Sequence, residues 1–300
     1  MRLGQNETVE DVVEESQRFE EEIFLSKIRE FYEKEFEEHQ QLFDYATEET
    51  RNFRDIQKEM LRDKPRVVKV LRYLVKPPIS QMKLGQFAGV NTTSSYEKDS
   101  PTTPRKETAE EIASFVEDNL DSRKVPWLTE NVDEEKAVRR CREWVCDIIA
   151  QSEAKTRYRN SRKDWQEDKV AETLRNAGLE RVRFSSSLTD EGDIPSGSFA
   201  RETKVVVSGG NQKADFVVRE SDGNMAFIEA KAVGVRVDAY KRVKEIRNKA
   251  SDWRGEYPEA DVIAAVSGWI PADKIETMLN DEIEVFWEHR FGALEDRFRD

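Results

Sequence analysis

Along the first sixty residues, apolar side chains recur at helical spacing in a Glu-rich background. Phe19, Ile23, Phe24, Ile28 and Phe31 share a face, which predicts one or two amphipathic helices over residues 9–62. A further helix is expected over 67–75, stopped by Pro77 and Pro78. Residues 91–106 are polar and broken by Asp99-Ser100-Pro101 and Pro104, which reads as a loop after Gly89. Helical spacing resumes over 108–120 and 133–153, so the chain to about residue 150 is expected to be a mainly α-helical domain.

Beyond residue 160 the period changes. A helix over 163–176 ends at Gly178, and β-rich runs follow at 181–186, 200–207, 214–219 and 225–232. Helix 238–253, strand 262–266, helix 272–279 and strand 283–287 complete the pattern. The fold class expected is α+β, with an α-rich N-terminal half over 1–150 and a second domain over 155–300 built on a mixed central sheet flanked by helices.

Composition narrows the chemistry. No run approaches the roughly 18 to 20 apolar residues that span a bilayer, and the N-terminus lacks a signal-peptide pattern, so a cytoplasmic address is expected. Cys141 and Cys146 are read as packing residues. With His39 and His289 as the only histidines and no G-x-S-x-G, His-rich zinc sites and Ser/His/Asp hydrolases are hard to build. The net charge of -13 argues at first against nucleic acid. Residues 1–55, however, hold 17 acids against 7 bases, a net of -10, leaving only -3 for the rest. Two basic islands lie in the C-terminal half: residues 155–169, with six bases and three acids, and 236–254, with seven and three. Each is a DNA-facing surface or a solvated helix face.

The sharpest chemical signal is Lys213-Ala214-Asp215-Phe216-Val217-Val218, then Ser221-Asp222-Gly223, then Met225 through Lys231. A three-residue hairpin loop with Gly223 left-handed gives residue pairs that sum to 444 and sets Asp215 opposite Glu229. Lys231 then points to the same face, while Ala214, Phe216, Val218, Ala226, Ile228 and Ala230 form an apolar face suited to packing under helices. A two-residue loop would separate the acids. Two carboxylates beside a lysine suit a hard divalent cation, Mg²⁺ above all, and an activated water, as in a metal-dependent phosphodiesterase. A salt-bridged sheet surface is the plainer alternative. The rival set is Glu202-Thr203-Lys204 with Asp193 upstream.

Glu167 precedes Val170, Ala171 and Leu174 at +3, +4 and +7, so it lies on the apolar stripe of its helix and needs a partner there. That partner is a metal or metal-bound water, or an arginine such as Arg162.

Asp215 with Glu229-Ala230-Lys231 resembles the active site of the PD-(D/E)XK nucleases. More of the chain is similar to the XamI-type restriction endonucleases: Pro77-Pro78-Ile79-Ser80, Val125-Pro126-Trp127, Gln166-Glu167, Lys213-Ala214-Asp215, Glu229-Ala230-Lys231, Lys241-Arg242, Lys249-Ala250 with Trp253, and Phe286-Trp287-Glu288-His289. The resemblance implies a restriction-endonuclease-like core and Mg²⁺-dependent cleavage of double-stranded DNA at a short palindromic site, alongside a cognate DNA methyltransferase. On it, Asp215 and Glu229 hold the metal with the Ala230 carbonyl as a further ligand, Lys231 orients or deprotonates the attacking water, and Glu167 supports the site. Two departures stand out. Ala230 replaces a Cys or similar residue, and Val235-Arg236-Val237-Asp238-Ala239-Tyr240 replaces a polar stretch before Lys241-Arg242.

Lys241, Lys244 and Asn248 recur on one helical face, so this helix, with Arg242, is expected to contact DNA phosphates, once from each subunit of a homodimer. Residues 79–96 resemble the first helix and turn of a helix-turn-helix, although 92–96 make a poor second helix; simple helix packing is the other reading. The expected activity is that of a type II restriction endonuclease giving 5′-phosphate ends. The alternatives are a structure-specific repair or recombination nuclease on the same core and a non-catalytic DNA-binding regulator.

Overall fold

The computed structural model describes residues 7–90 and 93–299. Helices α1 (Val9–Glu49), α2 (Lys58–Asp63), α3 (Val67–Leu74), α4 (Gln81–Phe87), α5 (Lys106–Asp118) and α6 (Glu134–Asn176) come first. Strands β1 (Glu180–Val182), β2 (Ser187–Leu188), β3 (Ser198–Val207), β4 (Gly210–Arg219) and β5 (Met225–Val233) follow. Then come α7 (Arg236–Glu256), β6 (Asp261–Gly268), α8 (Ala272–Asn280), β7 (Glu284–Trp287) and α9 (Gly292–Arg299). This is the α+β class that the periodicity predicts. None of the described helices is long and apolar enough to cross a membrane.

Contacts divide the chain into two compact units, one made of the chain up to Ser26 and from Tyr158 onward, the other of Lys27–Arg157. Both α1 and α6 therefore contribute to each. The acidic N-terminal segment is split: Val12 and Val13 belong to the core of the sheet unit. The helices expected over 133–153 and 163–176 are one continuous helix. Residues 154–162 contain neither Gly nor Pro, and nothing there breaks the hydrogen-bond ladder.

In the helical unit, Phe43, Phe53, Leu61, Leu71, Leu74, Val116 and Val145 form one buried cluster that also takes in Cys141 and Cys146. Burial pushes both thiols up to about 12, in keeping with their reading as packing residues. Past the end of α1, Arg51, Asn52 and Phe53 all adopt positive φ (52°, 58° and 64°), and the Phe53 amide is held by Thr50 Oγ1 at 2.8 Å. The turn drives Phe53 between Phe43 and Trp127, whose Nε1 donates to the Asn52 carbonyl at 2.9 Å.

Helix α4 starts at Ser80, whose Oγ accepts from the Lys83 amide, and it buries Leu84. Residues 93–105 form turns and extended chain, so no second helix follows among the described residues; Asn91 and Thr92 lie outside them. Thr93 Oγ1 donates to the Gln81 carbonyl, and buried Glu97 receives Arg72 and Gln81.

The sheet unit is a mixed seven-stranded sheet in the order β1-β3-β4-β5-β6-β7, with β2 beside β3. Strands β3, β4 and β5 run antiparallel in succession, and β5, β6 and β7 run parallel through the crossover helices α7 and α8. One face buries Val217, Phe227, Val262 and Val266 under Val243, Ile246 and Trp253 of α7 and Ile275 of α8. Trp253 stacks on Phe227 with centroids 5.2 Å apart. The other face buries Phe216, Val218, Ile228 and Ile263 against Val170, Ala171 and Leu174 of α6 and Leu294 and Phe298 of α9. Both faces are therefore core, where the sequence reading expected only one. Burying a side chain of this size is worth about 1.5–3 kcal/mol, so each face holds its helices firmly.

Candidate active site

The β4–β5 hairpin has the expected register, with Phe216 opposite Ile228, Val218 opposite Ala226 and Arg219 opposite Met225. Glu220 and Asn224 close a loop of Ser221-Asp222-Gly223, in which Gly223 has φ +97° and Asp222 Oδ1 accepts from the Asn224 amide. Because β-strand side chains alternate, this register carries Asp215, Glu229 and Lys231 to one face near the end of the hairpin away from the loop.

There the three side chains meet. Asp215 Oδ2 accepts from the Ala230 amide at 2.9 Å and from Lys231 Nζ at 3.3 Å. Lys231 Nζ also donates to the Ala230 carbonyl at 3.1 Å and forms an ion pair with Glu229 Oε1. One ammonium thus gathers the oxygens of Asp215, Glu229 and Ala230. Glu229 is fully buried and Asp215 nearly so. Burial, followed by the charge of Asp215, raises the Glu229 carboxyl above its ordinary range against the pull of Lys231 and Lys249. For Lys231, burial pulls downward, but Glu229 and Asp215 outweigh it and hold the group above the ordinary lysine value.

The donor set suits a hard divalent cation: two carboxylates and a carbonyl converge on a point already occupied by a cationic group. No three His, Cys, Asp or Glu side chains among the described residues come together as a metal-holding group, so a cation here would complete its shell with water or substrate oxygens.

Lys249 of α7 was a landmark of the resemblance without a role. Its Nζ lies 2.7 Å from each Glu229 oxygen and 2.6 Å from the Lys213 carbonyl. The sequence signal was its place four residues before buried Trp253 on the helix that follows the Glu229 strand.

Glu167 is buried on the other face. Its partners are Arg201 of β3, at 3.0 Å, and Lys163, at 3.1 Å. Arg162, the arginine suggested from sequence, is engaged elsewhere: it binds Glu20 and Glu288 at 2.7 and 2.6 Å and reaches Ser267 Oγ. Tyr158 also donates to Glu20. Glu20 precedes Ile23 and Phe24 at +3 and +4, but nothing in the sequence names its partner, and only the fold brings it and Glu288 together on Arg162. Lys163 pairs with Glu167 and lines the same cleft as Glu229 and Lys231; burial lowers its pKa while Glu167 and then Asp215 raise it, with a net rise.

The rival acids do not assemble. Asp193 caps its own loop, accepting from the Thr189 and Asp190 amides, and Glu202 pairs with Lys213. Lys204 is exposed in register with Ser187. Glu202 has φ +55°, a costly value for a non-glycine residue, and it interrupts the alternation of β3 beside Asp215. Ala214, which strict alternation groups with Phe216, packs on the α7 face.

A cleft of about 680 Å³ opens over this end of the hairpin, lined by Glu229 and Lys231 and by the cations Arg159, Lys163, Arg242 and Lys249. The three predicted DNA contacts separate here. Arg242 faces the cleft, whereas Lys241 and Lys244 line a groove of about 1010 Å³ between α7 and α8, with Asn248 and Lys274. Val235, Val237 and Tyr240, in the stretch that departs from the expected polar residues, are exposed at 52%, 80% and 63%.

Comparison with known proteins gives a concordant result. The chain is 27% identical over 201 residues to the type II restriction enzyme XamI of Xanthomonas campestris pv. amaranthicola, an alignment covering 66% of this chain and 70% of that one. The family described as XamI restriction endonuclease matches residues 51–287, well over half of the chain and the whole β3–β7 sheet. With the acid pair and lysine on adjacent strands of a mixed sheet, this match means that the chain belongs to the XamI restriction endonuclease family.

Proposed function

We propose that this protein hydrolyses phosphodiester bonds in double-stranded DNA at a short palindromic site, using Mg²⁺ and leaving 5′-phosphate ends. Beyond family membership, the reading rests on one observation: the oxygens of Asp215, Glu229 and Ala230 converge on one cationic point at the floor of a cleft lined by bases. Asp215, Glu229 and the Ala230 carbonyl would hold the ion. When bound, it supplies Lewis-acid stabilisation of the charge that develops on the phosphate and the leaving 3′-oxygen.

The protein's own groups do the rest. Lys231, beside both acids, orients or deprotonates the attacking water. Glu167 is a positioning residue: through its ion pair it holds Lys163 at the cleft, while Arg201 balances its remaining charge. Arg242 in the cleft and Lys241 and Lys244 in the adjoining groove contact the sugar-phosphate backbone, which sets register without reading sequence. A palindromic target implies a twofold homodimer. A cognate methyltransferase protecting the host site, and a cytoplasmic location where both meet DNA, complete the reading.

Incubation with phage DNA and Mg²⁺, and then with EDTA, tests it. Discrete fragments that vanish with EDTA are expected. Cleavage confined to branched substrates would instead indicate a repair or recombination nuclease, and binding without cleavage a regulator.

A further inference from the structure

Two carboxylates and two ammonium groups already balance in the site. Lys231 Nζ is shared among Asp215, Glu229 and Ala230, and Lys249 Nζ among both Glu229 oxygens and the Lys213 carbonyl. An ammonium has three protons, and Lys249 directs all three at protein oxygens. A divalent cation added to this neutral set leaves a surplus of two positive charges in a largely desolvated place, so at least one ammonium has to leave.

The two lysines are not equally placed to do so. Lys231 Nζ has to give up the point on which the acids converge, but it is 15% exposed and carried on the same strand as Glu229, two residues away, so it can shift only within reach of the acids and its charge stays in the site. Lys249 is 24% exposed and reaches in from α7 at the edge of the cleft, and its long stem can swing outward without moving the helix. It also spans both oxygens of Glu229, so any cation that Glu229 ligates takes an oxygen from Lys249.

We propose that Lys249 is a displaceable counter-ion: it neutralises Glu229 in the metal-free protein, competes with the divalent cation for that carboxylate, and turns into the cleft beside Arg242 when the cation binds. This rests on the reading that Asp215 and Glu229 hold the cation. The consequence is opposite in sign to that of a lysine that merely props up the site. Removing a prop weakens cation binding; removing a competitor strengthens it.

Calorimetric titration of Ca²⁺ into the full-length protein without DNA separates the two. Lys249→Met and Lys249→Gln should each bind about tenfold more tightly than the wild type, the worth of one charge-assisted hydrogen bond no longer broken. Lys249→Arg, whose planar fork also spans two carboxylate oxygens, should stay near the wild-type affinity. In parallel melting curves, Lys249→Gln should be less stable than the wild type without Ca²⁺ and regain most of the difference at saturating Ca²⁺. Unchanged or weaker Ca²⁺ binding by both neutral variants overturns the proposal while leaving the metal site standing, provided that Glu229→Gln loses the bound ion. If Glu229→Gln binds Ca²⁺ as the wild type does, the metal site itself is wrong and the counter-ion role falls with it.

Discussion

The Ala230 amide donates to Asp215 Oδ2 at 2.9 Å, so the strand that carries Glu229 and Lys231 also fixes the carboxylate on its neighbour. A ladder of this kind leaves little freedom at the site: shifting β5 against β4 by one residue would break the bond and turn Glu229 to the other face.

Lys231→Ala should therefore abolish cleavage, by at least about a hundredfold, while site binding stays nearly intact, because its role is with water rather than DNA. Asp215→Asn and Glu229→Gln should lose activity through lost metal affinity. Lys204→Ala, on the strand whose acids do not assemble, should cut normally. Single-turnover cleavage and gel-shift binding measured together check all four, and wild-type cutting by any of the first three would remove that residue from the site.

Glu167→Gln keeps the shape of the side chain but halves a buried ion pair. A loss of about 1 kcal/mol is expected, because Arg201, only 18% exposed, loses one of its two charged acceptors and keeps Asp168. The rate should fall as well, through the loosened Lys163. Arg201→Met should reproduce the stability loss with a smaller effect on rate. Melting temperature and cleavage rate for both variants decide the matter; a lower rate with unchanged stability in Glu167→Gln would place its carboxylate directly at the metal.

Lys241→Ala with Lys244→Ala should weaken binding to specific and random DNA alike, more at low salt than at high, reducing the salt slope by about 0.9 per lost phosphate contact. Arg242→Ala, in the cleft, should slow cleavage in addition. Filter binding across a salt series tests this, and altered cutting sequences in the double variant would mean that this face of α7 reads bases.

His39 is fully buried in the helical unit, where its Nδ1 lies 2.6 Å from the Glu35 carbonyl, and burial pulls its pKa down to about 4. The unfolded chain takes up this proton near pH 6.5 and the folded chain only near 4, so stability is lost as pH falls through that window, by up to about 3 kcal/mol. Glu35, raised by burial, slopes the other way. Denaturant titrations of the wild type and His39→Gln at pH 7 and pH 4.5 should differ in their pH dependence by this amount, and identical slopes would refute it.

Much of this was legible in the sequence where a local rule is strong. Gly223 demanded a left-handed position, the loop fixed the hairpin register, and the register brought Asp215 to Glu229. What escaped depends on long-range packing. Nothing local tells that residues 154–162 continue a helix, that Glu20 and Glu288 converge on Arg162, or that Glu202 breaks the strand period next to Asp215. Helical spacing did separate the faces of α7, but which face meets the cleft follows from how Trp253 and Ile246 seat the helix on the sheet. Lys249 entered the site by that seating.

The N-terminal segment has a practical bearing on expression boundaries. Ser16 Oγ accepts from the Gly268 amide at 2.8 Å, and Gly268 has φ +85° and comes so close to Val233 that a Cβ there would lie 2.2 Å from the Val233 carbonyl oxygen. Val233 ends the strand that bears Glu229 and Lys231. Family similarity begins only at residue 51, so a gene trimmed to that border would discard Ser16, the Val12 and Val13 side chains and the Glu20 carboxylate together. It would leave the Arg162 guanidinium facing Glu288 with half its counter-charge and uncover the rim of the nuclease sheet. Trimmed versions should be cloned with these residues retained, and an affinity tag placed ahead of them needs a spacer that leaves Val9 onward free to coil.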